Sequence, residues 1–207
     1  MRHVALAVAS SAVVLIVALL FRGSAQGRVH TLSMATAYAG MVLLAASLLI
    51  GPVKVLRRRS NPVSQDLRRD VGIWAAILGV CHTVLGLQVH LGGRFMQYFI
   101  PPAAANRTLP IRFDAFGLTN YAGLAATLSL LVLLALSNDL SLRRLGLHRW
   151  KALQRANYVV FGLVVGHGAI YQLLEKRMAE FVVLFGLLAA GTVAVQLAGF
   201  RRRRGRA

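Results

Sequence analysis

The chain has 207 residues, 57% hydrophobic and 14% charged, and its 24 Lys and Arg face only 6 Asp and Glu, a formal net charge of +18. Soluble domains carry roughly a quarter charged residues, so an ordinary soluble enzyme and a disordered tail are both excluded. The single Cys cannot form a disulfide within the chain. What remains is a membrane protein that keeps its basic residues in loops.

Six apolar stretches lie at about 4–21, 34–53, 71–91, 116–137, 156–174 and 179–200. Each is near the roughly 20 residues that cross a bilayer as a helix, and in lipid the backbone must satisfy its own hydrogen bonds. The pattern predicts an all-α membrane protein, one six-helix transmembrane bundle over 1–207 with a basic tail at 201–207. Met1-Arg2-His3 before an apolar run also has the form of a signal peptide, with Gly23-Ser24-Ala25-Gln26-Gly27 as a weak cleavage site. The 18-residue apolar core is longer than the roughly 7–15 of a signal peptide, which predicts a retained first helix. The longest connection, 92–115, contains Pro101, Pro102 and Pro110 and reads as a loop.

Basic residues give the spans a direction. Arg2, the run Lys54, Arg57, Arg58, Arg59, Arg68 and Arg69, the run Arg143, Arg144, Arg149, Lys151 and Arg155, and the tail Arg201–Arg204 with Arg206 put 17 on one side. Arg22, Arg28, Arg94, Arg107, Arg112, Lys176 and Arg177 put 7 on the other. The excess places both termini in the cytoplasm of a bacterial-type cell membrane. The arginine tail is expected to lie against anionic lipid headgroups and not on nucleic acid. Neither a P-loop nor a G-x-G-x-x-G unit occurs, so no nucleotide-binding domain is expected within these residues.

Ionisable groups inside a bilayer are expensive and mark sites. His3, His30 and His148 fall at ends or in loops and are expected to be solvated. His82 and His90 in the third span and His167 in the fifth are not. His82 lies 12 residues beyond Asp70, and His167 lies 12 beyond Arg155. At 1.5 Å per residue both sit about 18 Å in, on helices running the same way. Two imidazoles at one depth suit a shared metal ligand, haem iron, zinc and copper among them. Gly79 and Gly86, at i−3 and i+4 from His82, and Gly162, Gly166 and Gly168 around His167 leave slots that fit a flat group. Small residues also serve close helix packing, so a haem-free membrane scaffold or transporter with a structural His pair remains the alternative. Zinc would want further ligands at that depth, and without a C-x-x-C-H motif any haem is non-covalent, b-type. His90, nearly on the His82 face and about 12 Å further along, is an outer-face contact for a propionate, a quinone or a partner. The equivalent depth on the fifth span is Glu175. Asn120, Asn157 and Gln196 are expected to hydrogen-bond between helices.

Two segments carry a resemblance. The first is Arg68-Arg69-Asp70-Val71-Gly72-Ile73-Trp74, with His82 eight residues after the Trp. The second is Leu134-Ala135-Leu136-Ser137-Asn138, then Arg143-Arg144-Leu145-Gly146 and Trp150-Lys151-Ala152-Leu153-Gln154, followed by Tyr158 and His167. Over about 40–171 the chain resembles the ferric reductase-like transmembrane family, in particular the haem-binding membrane subunit of the periplasmic methionine sulfoxide reductase system. The resemblance implies a six-helix bundle with haem between the third and fifth spans, ligated by His82 and His167. It implies electron transfer to an external acceptor from a cytoplasmic or quinone donor, with FMN or quinone at the cytoplasmic side. Many members stack a second, inner haem on His residues 13 positions earlier, which here are Arg69 and Gln154. That departure implies a single haem b.

Overall fold

A computed structural model describes residues 2–20, 27–57, 65–101, 111–175 and 177–205. The cleavage-like residues 23–26, Arg22, Arg58, Arg59, Arg107, Lys176, Arg206, Pro102 and Pro110 lie outside the described residues. Seven helices follow in order: α1 Arg2–Leu20, α2 Gly27–Leu56, α3 Gln65–Val89, α4 Ala115–Ala135, α5 Asp139–Gln154, α6 Asn157–Leu174 and α7 Ala179–Arg204. Two 3-10 turns, Leu91–Gly93 and Phe95–Tyr98, follow α3. No strand occurs among the described residues. Six spans are long and apolar enough to cross a membrane, α5 and α6 counting as one continuous stretch. The chain is an integral, multi-pass membrane protein.

Several boundaries differ from the hydropathy reading: α3 starts at Gln65 and not near 71, α7 runs on through the expected tail to Arg204, and two further differences bear on the site. α2 starts at Gly27 and not near 34, because Arg28, His30 and Thr31 lower the local hydropathy without interrupting the helix. The stretch before α6, expected to be a loop, is instead α5. Asn138 caps it by accepting from the Ser141 N–H at 2.7 Å, which satisfies one of the donors a helix start leaves free. Gly146 breaks α5 midway with φ +71°, a conformation that glycine adopts without strain. Trp150 Nε1 donates to the Leu136 carbonyl at 2.9 Å and ties α5 to the end of α4.

α2 is the hub, packing on α1, α3 and α7, while α4 packs on α3 and α6. One core cluster joins Leu44 and Leu48 of α2, Ala75 and Ala76 of α3, Leu130 and Leu133 of α4, and Val160 and Phe161 of α6. A second joins Val17, Ala35, Tyr38 and Met41 to Phe181 and Phe185 of α7.

The α2–α7 contact contains a repaired defect. Pro52 lies inside α2, and a proline withholds the N–H that the carbonyl four residues back would accept. That carbonyl belongs to Leu48, which is 1% exposed. Gln196 of α7 donates Nε2 to it at 2.7 Å. Gln196 is therefore an interhelical hydrogen-bonder, as expected. Beside it α7 comes close, since a Cβ on Gly199 would lie 2.8 Å from Pro52 Cβ. At the same end Arg202 Nη1 donates to the Leu56 carbonyl at 3.0 Å and caps α2.

Gln196→Leu should destabilise the protein by about 1 kcal/mol, the usual cost of an orphaned buried acceptor in such a bundle. Unfolding in mixed detergent measures it. In a Pro52→Ala background the helix regains its own donor, so the same change should cost clearly less there. Equal costs in both backgrounds would contradict the repair.

Candidate functional site

α3 and α6 are each held by neighbours, α3 by α2 and α4, and α6 chiefly by α4. Above the shared core they part around a cavity of about 390 Å³, within the roughly 300–1,000 Å³ usual for ligand sites. His82 and His167 face each other across it, ring centroids 6.3 Å apart and planes at 77°. The helix ends are not level, since α3 starts at Gln65 and α6 at Asn157, yet the rings meet.

Each imidazole is aimed by a carbonyl on the adjacent helix. His82 Nδ1 lies 2.9 Å from the Ser33 carbonyl of α2, with Ser33 Oγ at 3.2 Å. His167 Nδ1 lies 2.8 Å from the Thr119 carbonyl of α4. A carbonyl only accepts, so Nδ1 carries the proton in both rings, and the neutral ring keeps its lone pair on Nε2. Neither Nε2 has a hydrogen-bond partner among the described residues. Anchoring one ring nitrogen on a carbonyl is how proteins fix a metal-ligating imidazole.

The donor set can be tested against a metal group. With metal–nitrogen distances of about 2 Å, two imidazoles on opposite sides of one metal have centroids roughly 6 Å apart, and the observed separation agrees. Among the described residues no group of three or more His, Cys, Asp or Glu is placed to hold a metal, and a macrocycle that brings most of its own ligands would ask of the protein only the two imidazoles. Gly79 and Gly86 line the cavity, though at Gly79 the space beside the backbone is taken by Leu130, whose Cδ1 would lie 2.8 Å from an added Cβ. The residues present fit a haem.

Other assignments fall elsewhere. Gly162 and Gly166 are exposed on the outer face of α6, with nothing within 4 Å of an added Cβ. Gly166 immediately precedes His167, and adjacent helix positions do not share a face. The glycine that seats His167 is Gly123 of α4, where a Cβ would lie 2.7 Å from Nδ1. It was not foreseen, because α4 has no His to draw attention to it. The inner positions do not line the cavity: Arg69 pairs with Asp139 at 2.6 Å, and Gln154 Nε2 reaches Ser137 Oγ at 3.5 Å. Both join helices at the end that carries the termini.

The opposite, distal end is polar. His90, expected as an outer-face contact for a ligand or partner, meets Glu175 Oε1 through Nε2 at 2.8 Å and stacks on Tyr171 at 6.2 Å. Tyr171 in turn lies 4.9 Å from the His167 ring and donates to Asn120 Oδ1 at 2.8 Å. His30, expected to be solvated, is 3% exposed. Its Nε2 accepts from Arg177 Nη1 at 2.8 Å, and Arg177 also pairs with Glu175. The early start of α2 explains the miss, for His30, Ser33, Ala37, Gly40 and Leu44 share one helical stripe along the cavity. His3 and His148 are exposed, as expected. Tyr98 closes this end. Its hydroxyl accepts from the His90 N–H at 3.0 Å and has one proton to share between the Gly86 and His90 carbonyls, 3.0 and 3.1 Å away.

Residues 36–165 match the family model described as ferric reductase like transmembrane component. The match includes His82 and stops two residues short of His167. No curated protein and no solved structure matches the chain.

Burial alone raises the Glu175 carboxyl, but the nearby His30 ring, the hydrogen bond from His90 and the Arg177 charge outweigh it and hold the group at about 2 against its ordinary 4.5. A depressed folded value stabilises the fold above the unfolded value, and that contribution disappears as pH falls through the folded one. Acid unfolding of the wild type should therefore lose stability between about pH 4.5 and 2, a loss that Glu175→Gln should lack. Identical acid profiles would contradict the assignment.

Proposed function

The chain belongs to the ferric reductase like transmembrane component family, and we propose that it is a transmembrane electron-transfer component holding one b-type haem between His82 and His167. The observation that carries this reading is the pair of carbonyl-anchored imidazoles 6.3 Å apart across the cavity. Bound haem supplies one-electron transfer between ferric and ferrous iron, a chemistry no side chain here provides. The protein's part is to present two Nε2 lone pairs, to hold both rings by their Nδ1 protons, and to surround the site with low dielectric. Gly86 leaves its part of the wall bare, Gly123 stays off the His167 ring, and Gly79 makes room for Leu130.

A single haem follows from Arg69 and Gln154, which occupy the inner positions and are engaged in holding α3, α5 and α4 together. Electrons then enter from the cytoplasmic end through an FMN, a quinone or a partner protein, and leave to an acceptor on the other side. The exposed basic residues of α5, Arg143, Arg144, Arg149 and Lys151, suit an anionic donor or the lipid headgroups beside it. The finer likeness to the sulfoxide reductase subunit rests on the sequence segments alone.

Protein purified from haem-replete cells should show a reducible low-spin b-haem spectrum. His82→Ala and His167→Ala should each abolish it or convert it to high spin. A spectrum unchanged in both variants sinks the reading, and colourless wild-type protein favours a haem-free scaffold or transporter. Gly123→Ala should lower haem occupancy several-fold, since its Cβ collides with the His167 ring and an overpacked site costs about 1–3 kcal/mol. Normal occupancy in that variant would remove Gly123 from the site.

A further inference from the structure

The cavity is amphipathic along its length. Its floor is Leu44, Ala75, Ala126 and Leu130, its middle the two imidazoles, and its distal end His30, His90, Glu175 and Arg177. At that end three nitrogen-bearing side chains converge on one carboxylate. Arg177 and His90 pair with Glu175 directly, and His30 Nε2 lies 3.9 Å from it. Arg177 is the formal cation of the group, and His30 accepts from it while His90 bonds the acid. The Arg177 side chain is 10% exposed and lines the cavity. A guanidinium has five N–H donors, while its described partners, Glu175 and His30, are reached from Nη2 and Nη1.

We propose that Arg177, held in place by His30 and Glu175 beside His90, forms the carboxylate-binding end of the cavity and takes the acidic side arms of the tetrapyrrole held at His82 and His167. This rests on the haem reading above and deepens it. The argument is one of solvation. A tetrapyrrole bearing carboxylates on one edge must put that edge somewhere, and an ionised carboxylate against the leucine and alanine floor would lose its water without compensation. At the distal end it meets a guanidinium able to bind it in bidentate fashion. Along α3, His90 lies eight residues past His82, about 12 Å, so the donors stand beyond the imidazoles and not beside them. Glu175 holds the guanidinium in position before the ligand arrives and then shares it.

The test uses the full-length protein, made under haem depletion, purified in detergent and titrated spectroscopically with haem and with haem dimethyl ester. The two ligands have the same macrocycle and iron and differ in the charge of the side arms. Wild type should bind haem about ten-fold more tightly than the ester or better, the scale of charge-assisted hydrogen bonds. Arg177→Gln should bring the two affinities to within about two-fold, mainly by weakening haem. Glu175→Gln, which removes a competing carboxylate, should keep or enlarge the wild-type preference. Equal wild-type affinities overturn the proposal and leave the haem reading intact. A preference that survives Arg177→Gln overturns the role of Arg177. If neither ligand binds wild type, the haem reading itself fails and this proposal with it. Should Arg177→Gln not fold, the wild-type ratio and the Glu175→Gln ratio still decide.

Discussion

An imidazole inside a bilayer has two nitrogens to satisfy and no water to satisfy them, and the organisation of this bundle follows from how His82 and His167 meet that demand. Each gives its Nδ1 proton to a backbone carbonyl of a neighbouring helix, Ser33 on α2 or Thr119 on α4. Those bonds belong to the two packed pairs α2–α3 and α4–α6. The bundle can be described as two helix pairs, each holding one aimed ring, set apart by a cavity. A polar nitrogen left without a partner at this depth is costly, and the two Nε2 atoms facing the cavity are what the proposed cofactor would satisfy.

The two ends of the site differ in kind. Toward the termini, the residues at the inner positions are used up in structure: Arg69 in its pair with Asp139, Gln154 near Ser137, Trp150 on the Leu136 carbonyl. Away from the termini, the side chains beyond the imidazoles form a connected polar network. His167 contacts Tyr171, Tyr171 stacks on His90, and His90 bonds Glu175, which Arg177 and His30 share. One end is closed by packing and the other equipped with charge. That asymmetry favours a single amphipathic ligand in one orientation over a stacked pair.

The spans and the His pair were legible in the sequence because both depend on patterns that helices preserve: apolar runs of membrane length, and residues at matched depth. Gly79 and Gly86 were legible too, since i−3 and i+4 share a face with His82. Gly166 was misassigned by sequence adjacency, which on a helix turns the residue some 100° away. His30 was hidden because its helix begins in a polar stretch that hydropathy reads as loop, and α5 was hidden for the same reason, its basic residues outweighing its Asn138 cap. Gly123 was beyond reach, for its importance lies in a contact between helices that no spacing along α4 encodes.

The central claim, one haem between two imidazoles, is tested most directly by the haem-to-chain ratio of the purified wild-type protein, from a pyridine haemochrome assay combined with amino-acid analysis. A ratio near one is predicted. A ratio near two would require an inner site that Arg69 and Gln154 do not provide, and a ratio of zero from haem-replete cells would remove the cofactor from the account altogether.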